Sequence, residues 1–159
     1  MKFQRQLNSS IGPLFLVASD IGLHGVFWSE QNYPEAQADS PSAHLLTQAS
    51  SEIIEFLAGQ RKSFQVPINP EGSAFQLKVW NFLRTIPYGK TLSYQEVALA
   101  LGSRGASRAV GTANAKNPLC LLIPCHRVIS SDGSLGGYSG GIDTKAHLLN
   151  LEAKNPGQL

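Results

Sequence analysis

The apolar positions of this chain change rhythm along its length. Near the N-terminus they form three short runs rich in β-formers, residues 3–7, 14–18 and 23–28, separated by the turn signals Gly12-Pro13 and Asp20-Ile21-Gly22. Residues 29–41 are polar and marked by proline, which predicts a loop. Ser40-Pro41 then reads as an N-cap with proline at the first helical position. Leu45, Leu46, Ile53, Ile54 and Leu57 carry that helix to a stop at Gly59. Residues 64–66 predict one more strand, and 67–72 a linker.

After the linker the rhythm is helical. Ser73-x-x-Gln76 is a capping box, and Phe75, Val79, Phe82 and Leu83 fall on one face behind it. Pro87-Tyr88-Gly89 predicts a turn. A second capping box, Ser93-x-x-Glu96, opens a helix through Val97, Ala98 and Leu101 that ends at Gly102. A third helix is expected over 106–115, ahead of Asn117-Pro118. Two short helices joined by a Gly-bearing turn make a helix-turn-helix pattern, although many helical hairpins of this kind bind no DNA. The expected fold class is α+β. Residues 1–72 form a small N-terminal α/β domain with a short antiparallel sheet, and residues 73–159 a mostly helical C-terminal domain.

Charge sharpens that division. The net charge is only +2, yet residues 1–72 carry −3 and residues 73–159 carry +5. A basic half suggests contact with a polyanion, though a difference this small is also within chance. No apolar stretch approaches the ~20 residues that span a bilayer, and the N-terminus lacks the apolar core of a signal peptide. A cytoplasmic protein is expected. The histidines, His24, His44, His126 and His147, show no metal-ligand spacing around either cysteine, so no metal is expected. Cys120 and Cys125 would lie on opposite faces of a strand, which argues against a disulfide between them.

The helix expected over 106–115 is built from small residues, Ala106, Ser107, Ala109, Gly111, Ala113 and Ala115, with Arg108 standing out. A major-groove reader would carry more Asn, Gln and Arg. A smooth face suits the minor groove and binding with little sequence reading, or else tight packing on a neighbouring helix.

The chemistry concentrates in Pro124-Cys125-His126-Arg127-Val128, which follows the apolar run 119–123. A thiol titrates at about 8.5, and basic neighbours are expected to lower that value and favour the nucleophilic thiolate. The apolar run reads as a buried, rigid support. This stretch, with Gly136-Gly137-Tyr138-Ser139-Gly140-Gly141 downstream and Ile86-Pro87-Tyr88-Gly89 and Val110-Gly111 upstream, resembles the O6-alkylguanine-DNA alkyltransferases. Those DNA repair proteins move an alkyl group from guanine onto their own cysteine. The resemblance spans residues 73–152, and its Pro-Cys-His-Arg core is highly specific. The first half resembles the family only in size and coarse pattern.

The resemblance implies a methylated-DNA–protein-cysteine methyltransferase that reacts once and needs no cofactor. Residues 1–72 would be structural, and residues 73–159 would bind DNA and transfer the alkyl group. Cys125 would be the nucleophile, His126 the proton acceptor through a water molecule, and Glu152 the carboxylate that orients the histidine. Asn117 would join the recognition helix to the active-site segment. Tyr94 would hydrogen-bond N3 of the flipped guanine. The carbonyls of Cys125 and Val128 would accept from the exocyclic amine, the N–H of Ser139 would donate to O6, and Tyr138 would wall the pocket, with Gly140 beside it. Arg108 would take the place of the flipped base in the stack. Ser93, Gln95, Ala106, Ser107, Gly111 and Ser131 would contact the DNA. Arg127 would bridge elements within the fold. The partner is double-stranded DNA containing O6-alkylguanine, bound by a monomer, with cooperativity along DNA and activity on O4-alkylthymine left open.

Two departures stand out. Residues 1–72 contain no cysteine, so the structural zinc of some members is not expected. Thr112 and Asn114 lie where related helices often carry small or apolar residues, which bears on the fit of the groove and not on the reaction. The competing readings are a non-catalytic O6-alkylguanine-binding repair or regulatory protein, a helix-turn-helix regulator, and a Cys-His hydrolase. The first replaces the nucleophile that is present here. The second should carry a dimerisation segment, which is not seen. A helix-turn-helix ahead of the nucleophile argues against the third.

Overall fold

The computed structural model describes residues 1–155, in two compact units that divide between Glu71 and Gly72. In the first unit, β1 (Phe3–Ser9), β2 (Gly12–Ser19) and β3 (Gly22–Phe27) form an antiparallel sheet in the order β1-β2-β3. The register runs from Phe3↔Ala18 to Ser9↔Gly12, and from Phe15↔Phe27 to Ser19↔Gly22, with a bulge at Val17/Ala18. Gly12 holds φ +103° at the first turn, a region that costs a β-carbon dearly. Helix α1 (Pro41–Leu57) starts as expected: the Ser40 side chain accepts from the Ala43 amide at 3.1 Å, and Pro41 occupies the first turn. It packs chiefly on β2, burying Leu46, Ala49, Ile53 and Phe56 together with Leu14, Leu16 and Leu23.

The strand expected over 64–66 does not form. Glu52, buried on α1, accepts from the amides of Gln65 at 2.9 Å and Val66 at 3.1 Å, so a carboxylate takes the place of a strand partner. The chain meets the sheet only afterwards, where Leu23 donates to the Pro67 carbonyl and receives from the Asn69 amide, a single parallel bridge at Leu23↔Ile68. The start of the expected linker is thus pinned beside β3.

The second unit opens with α2 (Ala74–Leu83), whose Ser73 capping box has both reciprocal bonds. It continues through β4 (Leu92–Ser93), α3 (Tyr94–Ala100) and α4 (Ser107–Ala115) to β5 (Val128–Ile129) and α5 (Ile142–Lys154). Ser93 closes the second capping box at the head of α3. β4 and β5 are a two-residue parallel pair, Leu92↔Val128 and Ser93↔Ile129, unforeseen in the sequence. Trp80, buried on α2, donates its indole N–H to the Ala113 carbonyl at 2.8 Å and fixes α2 to α4. Val79, Leu83, Val97, Val110, Ile123 and Leu148 complete the core. No helix among the described residues is long and apolar enough to cross a membrane.

Candidate active site

The support for Cys125 over 119–123 is buried as expected, but it is a turn and not the strand that would set Cys120 and Cys125 on opposite faces. Leu121 holds φ +75°, and the Ile123 amide donates to the Leu119 carbonyl at 2.9 Å. Asn117 brackets this turn: its Oδ1 accepts from the Leu119 amide at 2.9 Å and its Nδ2 donates to the Ile123 carbonyl at 2.8 Å. A side-chain amide has a donor and an acceptor, and here both go to the backbone flanking a left-handed residue. The argument from opposite strand faces therefore does not apply to Cys120 and Cys125, although both are buried and neither forms a disulfide.

Pro124 leads into a 3-10 turn, Cys125–Arg127, that hands the chain to β5. The turn aims three consecutive side chains at different tasks. His126 and Glu152 are both fully buried, and His126 Nε2 lies 2.6 Å from Glu152 Oε2. Arg127 donates to the same carboxylate from Nε and Nη2 at 2.9 Å and sends Nη1 to the Ile86 carbonyl at 2.8 Å. Its guanidinium also lies 5.5 Å from the Tyr88 ring centroid. The Gly89 amide supplies another donor to Glu152 at 2.9 Å. The expected bridging role of Arg127 has a definite form: it ties α5, β5 and the segment 86–89 together.

Burial alone would push the Glu152 carboxyl upward, but the hydrogen bonds and charges of His126 and Arg127 outweigh it and hold the group at about 2. An ionised carboxylate only accepts, so Nε2 of His126 carries the proton and Nδ1 is the basic nitrogen. Burial lowers the His126 pKa against the opposing pull of Glu152, which keeps the ring neutral at rest.

The thiol corrects the expectation of a lowered pKa. Burial pushes Cys125 up, and the Asn117 hydrogen bond and the Lys145 charge offset this only in part. Cys125 is 3 % exposed, and desolvation of a thiolate outweighs cations at this range. The resting group is a thiol.

Cys125 lines a cavity of about 310 Å³ together with Tyr94, Gly111, Asn114, Ala115, Gly137, Tyr138 and Ser139. Among the expected site residues, Cys125, Tyr94, Gly111, Tyr138 and Ser139 meet there. Val128 is buried, and neither it nor Gly140 is part of this wall. Gly136, at φ +75°, has a steric reason: a β-carbon there would come within 2.9 Å of the Tyr94 hydroxyl. An open groove of about 550 Å³ adjoins, lined by Tyr94, Ser107, Arg108, Gly111, Thr112, Ala115 and Lys116. Arg108, Gln95 and Ser131 are exposed, while Ser93, Ala106 and Ser107 are half-buried. Among the described residues no group of three or more His, Cys, Asp or Glu side chains could hold a metal ion.

Two residues of the site escaped the sequence reading. Lys145 is fully buried, donates to the carbonyls of Val128 at 2.6 Å and Gly137 at 3.2 Å, and lies 5.9 Å from the Tyr94 ring centroid. Burial lowers it to about 8, against the pull of Cys125. A signal existed: the buried face of α5 is Lys145, Leu148 and Glu152, a helical stripe with charges at core positions. Asn114, noted in the sequence only as a departure bearing on the groove, is the other, buried on α4 with Nδ2 3.4 Å from the Cys125 carbonyl.

Comparison with known proteins agrees over the whole chain. Residues 3–70 match the 6-O-methylguanine DNA methyltransferase, ribonuclease-like domain, and residues 74–154 match the DNA binding domain of the same methyltransferase. A methylated-DNA--protein-cysteine methyltransferase of Methanosarcina acetivorans is 43% identical over 91% of this chain and 94% of its own. One of Mycobacterium tuberculosis is 42% identical over 93% and 90%. The crystal structure of Mycobacterium tuberculosis OGT in complex with DNA superposes with a TM-score of 0.87 at 38% identity, covering 96% of this chain and 94% of that one. With both domain models matched in order and relatives above two-fifths identity along nearly its full length, the chain belongs to the 6-O-methylguanine DNA methyltransferase family.

Proposed function

We propose that this protein is a direct-reversal DNA repair enzyme, a methylated-DNA–protein-cysteine methyltransferase that takes the alkyl group of O6-alkylguanine in duplex DNA onto Cys125. The observation that carries this reading is the buried series Cys125, His126 and Glu152 beside a cavity, in a chain of this family. The cavity is within the range of small-molecule sites, about 300–1,000 Å³.

In this reading Glu152 holds the Nε2 proton of His126, and Nδ1 receives the Cys125 proton through a water molecule. The Sγ–C bond forms as the C–O6 bond breaks, and the electron pair returns to the purine, which takes up a proton as ordinary guanine. The Tyr94 hydroxyl, bonded to N3, eases that departure. A thiol with a raised pKa suits such a step, because a thiolate of higher pKa is the stronger nucleophile once formed. The product is a thioether with no easy way back, so each molecule acts once. The second unit performs the transfer and meets the DNA, while the first is structural.

The target base must leave the stack, at a cost of about a few kcal/mol. Arg108 is the finger that fills the gap, standing on α4 in the wall of the open groove. Ser93, Gln95, Ala106, Ser107, Gly111 and Ser131 contact the DNA, with α3 and α4 acting as a helix-turn-helix. Tyr138 and Ser139 wall the base, Ser139 through its N–H to O6, with Gly140 beside them, and Asn117 keeps the nucleophile turn in register. The carbonyls of Cys125 and Val128 face the exocyclic amine in the family pattern. We place the protein in the cytoplasm, acting as a monomer. A purely lesion-binding role is not favoured, since the nucleophile is present.

The test is intact-protein mass after incubation with duplex DNA carrying one O6-methylguanine, followed by peptide mapping. A gain of one methylene on Cys125, limited to one per protein and absent from Cys125→Ser, is the expected result. Tight binding of the same DNA with no mass gain would move the function to lesion recognition.

A further inference from the structure

Two cations line the open groove beside the Cys125 cavity, Arg108 and Lys116, and the rest of the lining is uncharged. Base extrusion uses Arg108 and leaves Lys116 without a task. Lys116 is exposed, and among the described residues its ammonium makes no hydrogen bond or ion pair. Several other cations are committed: Lys2 to Glu71, Arg61 to Glu55, Arg127 to Glu152, and Lys145 to two carbonyls. A charge left unpaired in a groove wall that holds no carboxylate is suited to an anion.

The helix fixes where that charge stands. Lys116 is the C-cap of α4, and its amide donates to the Thr112 carbonyl at 3.1 Å. Val110 and Ala113 are buried, and the Trp80 indole holds the Ala113 carbonyl, so α4 is a rigid ruler. The rise from residue 108 to residue 116 is about 12 Å. A duplex carries one negative charge about every 1.7 Å of its axis. With Arg108 in the stack, a cation fixed ~12 Å away meets the backbone of the neighbouring nucleotides rather than the flipped base. The small residues Gly111 and Ala115 between them let the duplex come close. A lysine ammonium, a compact charge with three rotatable donors, suits a phosphate oxygen there.

We propose that Lys116 binds a backbone phosphate of the duplex at the end of the groove away from Arg108. This rests on the alkyl-transfer reading above. Such a contact releases a counterion and carries no sequence information.

The test measures the affinity of the protein for unmodified duplexes of different sequence by fluorescence anisotropy, from about 50 to 200 mM salt. Lys116→Gln is expected to reduce the slope of log affinity against log salt by about 0.9, and to weaken binding about eightfold at roughly 0.1 M salt, equally on every sequence. Lys116→Arg should keep the wild-type slope. Lys78→Gln removes the same charge from an exposed position outside the groove and should keep it too. Single-turnover transfer from an O6-methylguanine duplex by Lys116→Gln should fall by the same factor at limiting DNA and return to the wild-type rate at saturating DNA. An unchanged slope in Lys116→Gln, an equal drop in Lys78→Gln, or a loss that depends on sequence overturns the inference, and each leaves the methyltransferase reading intact if the wild-type protein transfers the methyl group. Wild-type protein that binds the duplex with its full slope but takes no methyl group defeats that reading instead, and the phosphate contact stands.

Discussion

Each unit of this protein buries one glutamate on a helix, and the two do different work. Glu52, 4 % exposed on α1, accepts from the amides of Gln65 and Val66 and from the Gln48 side chain. Glu152, fully buried on α5, accepts from His126, Arg127 and the Gly89 amide. In both, burial raises the carboxyl pKa and hydrogen bonds more than reverse it. The electrostatic situation is alike, but the partners differ in kind. Amides cannot change protonation state near neutrality, so Glu52 only shapes a loop. An imidazole can, so Glu152 also sets which nitrogen of His126 is basic. A perturbed buried carboxylate therefore marks a functional site only through what it touches.

The comparison breaks most directly at those two positions. Glu152→Gln should slow alkyl transfer by about 10²–10⁴-fold, the range of general-base assistance. It should also destabilise the protein by about 3–5 kcal/mol, because Arg127 is left buried without its counter-charge. Glu52→Gln should cost about 1–3 kcal/mol in urea unfolding yet leave the transfer rate per folded molecule unchanged. An equal kinetic loss in both variants would erase the distinction.

Arg108→Ala sharpens the contrast between chemistry and base extrusion. It should slow transfer from duplex DNA markedly and transfer from free O6-benzylguanine hardly at all, measured as mass gain with time. Matching losses on the two substrates would count against the finger.

Acid should next separate the two buried pairs. Glu152 has a depressed folded pKa, so its stabilisation is complete above the ordinary carboxylate value of 4.5 and is lost as pH falls from there toward about 2. His126 is buried and neutral, with its folded value below the ordinary 6.5, so its protonation in the unfolded chain already draws stability away as pH falls through 6.5. Glu52 has no histidine in contact, so its share is lost only below 4.5. Melting from pH 8 to pH 4 should show His126→Asn flattening the loss that begins near neutrality, while Glu52→Gln leaves that slope in place.

The smallest effect belongs to Ser40→Ala. Loss of the α1 cap should cost about 1 kcal/mol with transfer unaffected. A kinetic defect there would show that the first unit does more than support.

Much of the fold was legible because its signals are local. Ser40-Pro41, Ser73-x-x-Gln76 and Ser93-x-x-Glu96 marked three helix starts that the backbone adopts. The cap needs only residues a turn apart, so no distant contact can overrule it cheaply. Residues 64–66 misled because their composition suits a strand while the donors they present are satisfied by Glu52, thirteen or more positions earlier. The run 119–123 misled for a similar reason: its apolar content reported burial correctly, but the Asn117 amide bends it into a turn through Leu121.

The sequence alone was enough to single out Cys125 as the candidate nucleophile, with its neighbours, since Pro124-Cys125-His126-Arg127 is contiguous and its chemistry can be read off the residue types. It also divided the chain into a sheet-bearing half and a helical half, because hydrophobic period and caps are properties of short windows. Tertiary structure decided the rest. It brought Glu152 from 26 positions away onto His126, sank Lys145 among carbonyls, left the Asn114 oxygen without a donor, and raised a thiol whose neighbours promised the reverse. The physical reason is common to all four. Protonation state and hydrogen-bond satisfaction depend on desolvation and on through-space partners, and neither is encoded in any short stretch of chain.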